Sequence, residues 1–172
     1  MKVPILLLPC CAKTGGGTSS ELMLKAPYIL LAEDSDDDTF FTRRCLAAAG
    51  IELELRRCAD GLQVCEFLRK CGDDLPLAIV LDLKMPLMDG FETLQWIREQ
   101  PAFGHLPIVI LSSSEMQQDV ARAKKLGCTE YLVKPHSLPE LEKLLKGLIE
   151  RLLAKAGISP VSTSPKMVRP SP

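Results

Sequence analysis

The sequence lacks the features that mark several large classes of protein. Aromatic residues make up only 5 % of the 172 residues, and the net charge is -1, with 21 basic against 22 acidic residues. A chain so close to neutral has no overall field that would attract nucleic acid or anionic lipid. No run of 18 consecutive apolar residues occurs, so the sequence predicts no membrane-spanning helix. We therefore expect neither nucleic acid nor a membrane as a partner.

The cysteines also lack a pattern that would indicate a metal or redox site. There are seven, an odd number, and no pair has the Cys-x-x-Cys spacing of zinc or dithiol sites. We interpret them as small buried hydrophobic side chains in a reducing compartment, which predicts a cytoplasmic protein. They are Cys10, Cys11, Cys45, Cys58, Cys65, Cys71 and Cys128.

What the chain does contain is aliphatic sequence for one domain of ordinary size. Hydrophobic residues make up 47 % of the chain, a composition that suits a parallel sheet covered by helices. We expect the domain to span residues 27–156, which leaves no room for a second, output domain. Residues 1–26 have linker composition around Gly15–Gly17, and residues 157–172 are rich in proline and serine, so we expect both ends to be disordered.

Five short apolar runs alternate with helical patterns along this domain. Helices linking successive strands imply parallel pairing and an α/β fold with helices on both faces of the sheet. The helices are predicted from the acidic cluster to about Ala49, from Asp60, from Phe91, over Gln117–Leu126 and after Ser137, with Gln63 and Glu140 completing capping boxes. The predicted strands are Tyr28–Ala32, Ile51–Arg56, Leu77–Leu81, Ile108–Leu111 and Tyr131–Val133.

Polar residues follow four of these strands, at the point where each strand ends. Glu33 and Asp34 follow the first strand, Asp82 the third, Ser112 the fourth and Lys134 the fifth. Ligands of open parallel sheets bind at the carboxyl ends of the strands. We therefore expect these side chains to converge on one site.

Three carboxylates at one site repel one another unless a cation is present. Mg2+ prefers oxygen ligands and retains positions for water and phosphate oxygens. We predict that Glu33, Asp34 and Asp82 hold Mg2+ together with a backbone carbonyl, that of Lys84. The acids Asp36–Asp38 start a helix, so we interpret them as a solvated cap rather than as metal ligands.

An ionised carboxylate at such a site can attack phosphorus without a general base. Phosphoryl transfer is catalysed mainly by in-line positioning and by neutralising the equatorial oxygens. The ammonium of Lys134 and the hydroxyl of Ser112 are suited to that task. The set therefore predicts a phosphorylation site at Asp82.

Four segments carry a resemblance to a known family. They read ILLAEDS, IVLDLKMPLMDG, IVILSSS and YLVKP, and the intervals of 30 residues from Asp82 to Ser112 and of 22 from Ser112 to Lys134 match as well. Over about residues 27–154 the sequence resembles the CheY-like receiver domain of two-component response regulators. The resemblance implies a doubly wound, flavodoxin-like sheet of five parallel strands in the order 2-1-3-4-5, with five helices.

The resemblance also implies a role for individual residues. Asp82 would be the phosphoacceptor, Glu33 and Asp34 the acidic metal pair, and Lys134 the phosphate-binding lysine before a cis proline, Pro135.

A second group of positions would act around that centre. Ser112 and Tyr131 would form the switch pair, whose movement alters the surface of the fourth helix and fifth strand. Lys84 and Ser113 depart from the commonest pattern and would modulate how fast water reaches the aspartyl phosphate. Pro86 and Gly90 would have structural roles in the turn after the third strand.

The resemblance implies a single-domain response regulator of a phosphorelay. Its phosphodonor would be a phosphohistidine on a sensor histidine kinase or a phosphotransfer protein, and its output would be binding to an unidentified protein. The spacing EDSDDD is similar to that of regulators paired with phytochrome-type kinases. The apolar stripe of the last helix continues past Leu148, which leaves room for a homodimer or a partner helix there.

Two alternatives remain open. One is a Mg2+-dependent phosphatase with an aspartate nucleophile, but such enzymes carry a second aspartate two residues on, where this chain has Lys84. The other is a pseudo-receiver that serves only for docking, which would lack the metal pair or the lysine. We therefore expect a phosphoacceptor that assists its own phosphorylation and dephosphorylation, and not an enzyme acting on outside substrates.

Overall fold

The computed structural model of the chain describes residues 26–48, 50–51 and 53–158. The predicted terminal segments, residues 1–26 and 157–172, lie outside this part except for residues 26, 157 and 158. Strands and helices alternate in five βα units. In chain order they are β1 Tyr28–Ala32, α1 Asp36–Ala48, β2 Glu54–Cys58, α2 Gly61–Lys70, β3 Ala78–Leu81, α3 Gly90–Glu99, β4 Ile108–Ser112, α4 Gln117–Lys125, β5 Glu130–Val133 and α5 Leu138–Lys155.

The five strands form one sheet in the order β2-β1-β3-β4-β5, with every neighbouring pair parallel. This confirms the predicted doubly wound fold. Side chains alternate between the two faces of the sheet. Leu30, Ile79 and Ile110 pack against α2, α3 and α4, whereas Ile29, Val80 and Val109 pack against α1 and α5. Every residue of β1, β3 and β4 is buried. Because burying each large aliphatic side chain contributes about 1.5–3 kcal/mol, these three strands fix where their carboxyl ends lie.

The predicted bounds of β2 are wrong. The strand was expected over Ile51–Arg56 but runs from Glu54 to Cys58. The residues after α1 close the helix instead: Gly50 has φ 70°, and the N–H groups of Gly50 and Ile51 donate to carbonyls of its last turn. This is the hydrogen-bond pattern of a helix C-terminus with a left-handed residue. Ala49, the predicted last residue of the helix, lies outside the described residues.

Helix caps set the direction in which the chain leaves the site. Asp60 caps α2 as predicted and accepts the N–H of Gln63 at 2.8 Å, although the Gln63 side chain binds the N–H of Ala59 instead of that of Asp60. Asp89 and Glu92 form a full capping box at the start of α3 that was not predicted from the sequence. The cap anchors the loop between β3 and α3 at its far end.

The apolar stripe of the last helix packs on its own domain as far as Leu153. Leu148, Leu152 and Leu153 are all buried against the same face of the sheet. The expectation that the apolar stripe extends beyond the domain after Leu148 is therefore wrong. No helix within the described part of the chain has the length and apolar character needed to span a membrane.

Gly90 provides a test of how tightly the loop after β3 packs. A Cβ atom at this position would lie 2.2 Å from the carbonyl oxygen of Asp82 and 2.8 Å from Cα of Leu83. Backbone atoms cannot move aside cheaply, so we expect Gly90→Ala to lower the free energy of unfolding by about 2 kcal/mol. Urea unfolding measures this change.

Gly147 is the matched control. It lies within α5, and an added Cβ would meet only the flexible end of Arg151, at 3.3 Å. We expect Gly147→Ala to raise the free energy of unfolding by about 0.5–1 kcal/mol, because alanine has the higher helix propensity. Equal stability of both variants would contradict the close approach at Gly90.

Candidate functional site

Three carboxylates meet at the carboxyl edge of the sheet, as the sequence predicts. One oxygen from each of Glu33, Asp34 and Asp82 lies within 4.8 Å of the other two. The strand pairing produces this convergence, since β1 and β3 are neighbours and the Asp82 N–H donates to the carbonyl of Ala32 at 2.9 Å. The donor set consists of oxygen atoms only, which fits a hard divalent cation such as Mg2+.

Two of the three carboxylates are removed from water. Glu33 is 3 % exposed and Asp82 is 8 % exposed, whereas Asp34 is exposed. Burial raises the pKa of both Asp82 and Glu33, and in each case interaction with Lys134 is the chief opposing influence. The buried carboxylates therefore need positive charge close by to remain ionised.

Lys134 supplies that charge from the end of β5. Its Nζ atom lies 2.5 Å from Glu33, 2.6 Å from Asp38 and 3.9 Å from Asp82. Burial of Lys134 disfavours its charged form, but the hydrogen bonds to Asp38 and Glu33 and the negative charges of Asp82 and Glu33 together raise its pKa. Its backbone N–H donates to the carbonyl of Ser112 at 2.8 Å, which holds the lysine beside the end of β4.

Asp38 corrects the interpretation of the acidic run as a solvated cap. Its carboxylate binds Lys134, so it belongs to the site, and Asp36 forms an ion pair with Arg57. Asp37 is exposed, as expected. The sequence showed only that Asp38 lies close to the acidic pair, since the direction of its side chain depends on how α1 is rotated.

The predicted switch pair is linked through Ser114, a residue that no sequence pattern indicated. Ser112 is fully buried, and its hydroxyl helps to stabilise the charged form of Asp82. The same hydroxyl accepts the N–H of Ser114 at 3.4 Å, and the Ser114 carbonyl accepts the Tyr131 hydroxyl at 2.8 Å. Ser114 also donates its hydroxyl to Asp119 of α4. The buried serine, α4 and β5 are thus joined by hydrogen bonds through one residue.

The remaining predicted residues lie around this centre. The exposed side chains of Lys84 and Ser113 line one open cavity of about 480 Å³ beside α4. Pro86 is exposed in the loop after β3, where its carbonyl accepts the N–H of Met88 at 2.7 Å.

The prediction of a cis bond before Pro135 is wrong, since no peptide bond among the described residues is cis. The trans isomer is the lower-energy form for most X–Pro bonds.

Comparison with known proteins agrees with this architecture. The model of the response regulator receiver domain matches residues 29–146. The response regulator Rcp1 of Synechocystis is 35 % identical over 107 residues, which cover 60 % of this chain and 73 % of Rcp1. The sensor histidine kinase CheAY of Helicobacter pylori is 36 % identical over 108 residues, which cover 63 % of this chain but only 13 % of that kinase.

Solved structures give the same result. The phosphorylated cyanobacterial phytochrome response regulator RcpA superposes with a TM-score of 0.69 at 29 % identity, covering 76 % of this chain and 96 % of RcpA. The Mn2+-bound form of Rcp1 superposes with a TM-score of 0.65 at 33 % identity, covering 71 % of this chain and 91 % of Rcp1. Together with a family model that matches more than half of the sequence, these likenesses show that the chain belongs to the response regulator receiver domain family.

Proposed function

We propose that this chain accepts a phosphoryl group on Asp82 from a phosphohistidine of a sensor histidine kinase or phosphotransfer protein, and that it signals by binding another protein. One observation carries the proposal. A buried carboxylate at the end of β3 has two further carboxylates and the ammonium of Lys134 around it. A carboxylate in that setting is a nucleophile whose surroundings are suited to a charged phosphoryl group.

In the transfer step an oxygen of Asp82 forms a bond to phosphorus while the bond from phosphorus to the donor nitrogen breaks. The electron pair of that bond leaves with the imidazole. Lys134 and the hydroxyl of Ser112 lie next to Asp82 and would neutralise or hydrogen-bond the phosphoryl oxygens. The backbone N–H groups of Leu83 and Lys84, which stabilise the charged form of Asp82, would serve the same purpose.

Glu33, Asp34 and Asp82 would hold Mg2+ with the backbone carbonyl of Lys84. Bound there, the ion would neutralise charge on the phosphoryl oxygens. The all-oxygen donor set and the Mn2+-bound form of the similar protein Rcp1 support this assignment. One oxygen of the Glu33 carboxylate binds Lys134 and the other accepts the N–H of Ser35, so the cation and the lysine would compete for that carboxylate.

The hydrogen bonds of Ser114 would transmit phosphorylation of Asp82 to the surface of the domain. A Ser112 hydroxyl drawn towards a phosphate would loosen its 3.4 Å bond to the Ser114 N–H, and Ser114 in turn holds Tyr131 and Asp119. The start of α4 is weakly tied, since its N-cap residue, Met116, makes no side-chain capping bond. Phosphorylation would therefore shift α4 and β5, where a downstream protein could bind.

The distribution of exposed apolar side chains supports a protein as donor. Among the described residues, large exposed hydrophobic side chains occur only in loops or early helix turns at the carboxyl edge of the sheet, the edge that carries Asp82. A small-molecule donor needs no such apolar rim, whereas protein interfaces bury apolar surface. The rim consists of Phe40, Leu62, Leu87, Met116 and Leu138.

The rival functions fit less well. A phosphatase of the aspartate type needs a second carboxylate two residues after the nucleophile, and that position holds the exposed cation Lys84. A docking-only pseudo-receiver has no use for a buried carboxylate beside a lysine and an acidic pair. RcpA is named as a phytochrome response regulator, which supports a phytochrome-type kinase as the donor.

The test of the proposal is phosphorylation by a small donor. We expect acetyl phosphate with Mg2+ to add one phosphoryl group to the chain, seen as a gain in intact mass. Asp82→Asn and treatment with EDTA should each abolish the gain. Failure of acetyl phosphate and of every phosphohistidine donor tried would refute the proposal, and an unchanged gain in Asp82→Asn would move the acceptor to another residue.

The apolar rim generates a separate prediction. Leu87 is 80 % exposed with φ 63°, and Met116 is 61 % exposed. We expect the double variant Leu87→Asn, Met116→Ser to slow phosphorylation by a phosphorylated histidine phosphotransfer protein about tenfold, as loss of interface anchors does. Asparagine tolerates the left-handed backbone at position 87, so the fold should persist.

Acetyl phosphate is the control donor for this variant. Because it makes no contact with the rim, its rate of phosphorylating the double variant should equal that of the wild-type chain. Equal slowing with both donors would show that the substitutions disturb the site itself and that the rim does not dock the donor.

A further inference from the structure

Arg57 lies on β2, an edge strand of the sheet, and has no role in the site described so far. Its guanidinium donates to the backbone carbonyl of Glu33 at 2.8 Å and to that of Asp34 at 2.7 Å. The third contact is an ion pair with the carboxylate of Asp36. Two of the acceptors are backbone carbonyls of the acidic pair, in the loop between β1 and α1, and the third is the side chain of Asp36, the first residue of α1.

Strand pairing brings the arginine to this loop. Arg57 lies opposite Leu31, and the next pair along, Ala32 with Cys58, is the last before the loop. The Glu33 N–H then donates to the carbonyl of Cys58 at 3.0 Å. The carbonyls of Glu33 and Asp34 lie beyond the last β1–β2 pair. The Arg57 guanidinium donates to them in place of a backbone N–H of the neighbouring strand.

The contacts constrain the direction of the two carboxylates. Fixing the carbonyls of residues 33 and 34 fixes the orientation of their peptide planes, and with it the bond from each Cα to its Cβ. Asp34 is exposed, so its side chain gains little from packing and depends on its backbone for direction. A planar guanidinium suits this task, because its N–H groups form a rigid fork.

We propose that Arg57 is a positioning residue for the divalent cation: it holds the loop backbone so that the Glu33 and Asp34 carboxylates point to the cation site. This inference rests on the proposed function only in assigning a cation to the acidic pair. Arg57 binds carbonyls of the pair and not their carboxylates. Arg57 itself therefore does not compete with the cation for these ligands.

The guanidinium has a second effect of opposite sign. Its positive charge lies near the cation site and disfavours cation binding by Coulomb repulsion. Positioning and repulsion can be separated by two substitutions. Arg57→Lys keeps the charge but loses the fork, and Arg57→Gln loses both.

The experiment measures binding of Mn2+ alone, by electron paramagnetic resonance of the free ion. If Arg57 positions the pair, both variants should bind Mn2+ about tenfold more weakly than the wild-type chain, as loss of an outer partner of a ligand does. Tighter binding by Arg57→Gln with unchanged binding by Arg57→Lys would overturn the proposal and leave only the charge effect. Wild-type affinity in both variants would overturn it as well.

Arg56 offers a matched control on the same strand. It points to the opposite face, where it binds Glu54 and Asp74 and lies 3.7 Å above the ring of Tyr28. Arg56→Gln removes an arginine from β2 without touching the loop, so its Mn2+ affinity should equal that of the wild-type chain. If Arg56→Gln lost as much Mn2+ affinity as Arg57→Gln, substitutions on β2 would lower the affinity by destabilising the fold.

Phosphorylation kinetics distinguish positioning from a structural role. With acetyl phosphate, the Arg57 variants should need about tenfold more Mg2+ for half-maximal rate but should reach the wild-type maximum. A lower maximum at saturating Mg2+ would contradict positioning of the cation ligands.

Should the Arg57 variants fail to fold, Asp36→Asn replaces them. It converts the ion pair that orients the guanidinium into a neutral contact, and we expect a smaller loss of Mn2+ affinity, about threefold; no loss would overturn the proposal. If the wild-type chain binds no Mn2+, the divalent site itself is wrong, which refutes that part of the proposed function and this inference with it. Wild-type binding combined with unaffected variants refutes the role of Arg57 alone.

Discussion

The attraction between Lys134 and the buried carboxylates is the interaction on which this edge of the molecule depends. Parallel pairing of β1 and β3 forces Glu33 and Asp82 together, and burial raises the pKa of both. Without a nearby cation the arrangement would lose charge or open to water. Lys134 contacts Glu33 and Asp38 closely and Asp82 at 3.9 Å. It therefore joins the ends of β1, β3 and β5 and the start of α1.

The sheet supplies the rigidity that this charge balance needs. The central strands are buried on both faces, so the positions of their ends are set by packing and not by the site. Gly90 shows how closely the backbone packs there, because a single Cβ would strike the carbonyl of Asp82. The loops at this edge are in turn tied by hydrogen bonds, through Ser114 on the β4 side and through Arg57 on the β2 side. A change in charge at Asp82 thus leaves the strand ends in place and acts on the hydrogen bonds of the surrounding loops.

Sequence patterns predicted the features that depend on strand periodicity and strand order. The convergence of Asp82 with the acidic pair needs only the rule that parallel strands end at one edge. Asp38, Ser114 and Arg57 were missed because their roles depend on the rotation of a helix, the path of a loop and the register of an edge strand. The bounds of β2 failed for a related reason, since apolar residues after Gly50 close a helix and the strand pairs only from Glu54. Periodicity carries no information on such contacts.

The two cationic side chains near the acidic pair, Lys134 and Arg57, differ in the atoms that they bind. Lys134 binds the Glu33 carboxylate itself, so any divalent cation that takes this oxygen must displace or share the lysine. Arg57 binds the carbonyls of the same loop and can keep its contacts whatever occupies the carboxylates. Under the proposed function the site would gain and lose both a cation and a phosphoryl group, which requires one partner that can move and one that stays. In that proposal Lys134, already within 3.9 Å of Asp82, would turn from Glu33 towards the phosphoryl group while Arg57 would keep the loop in place.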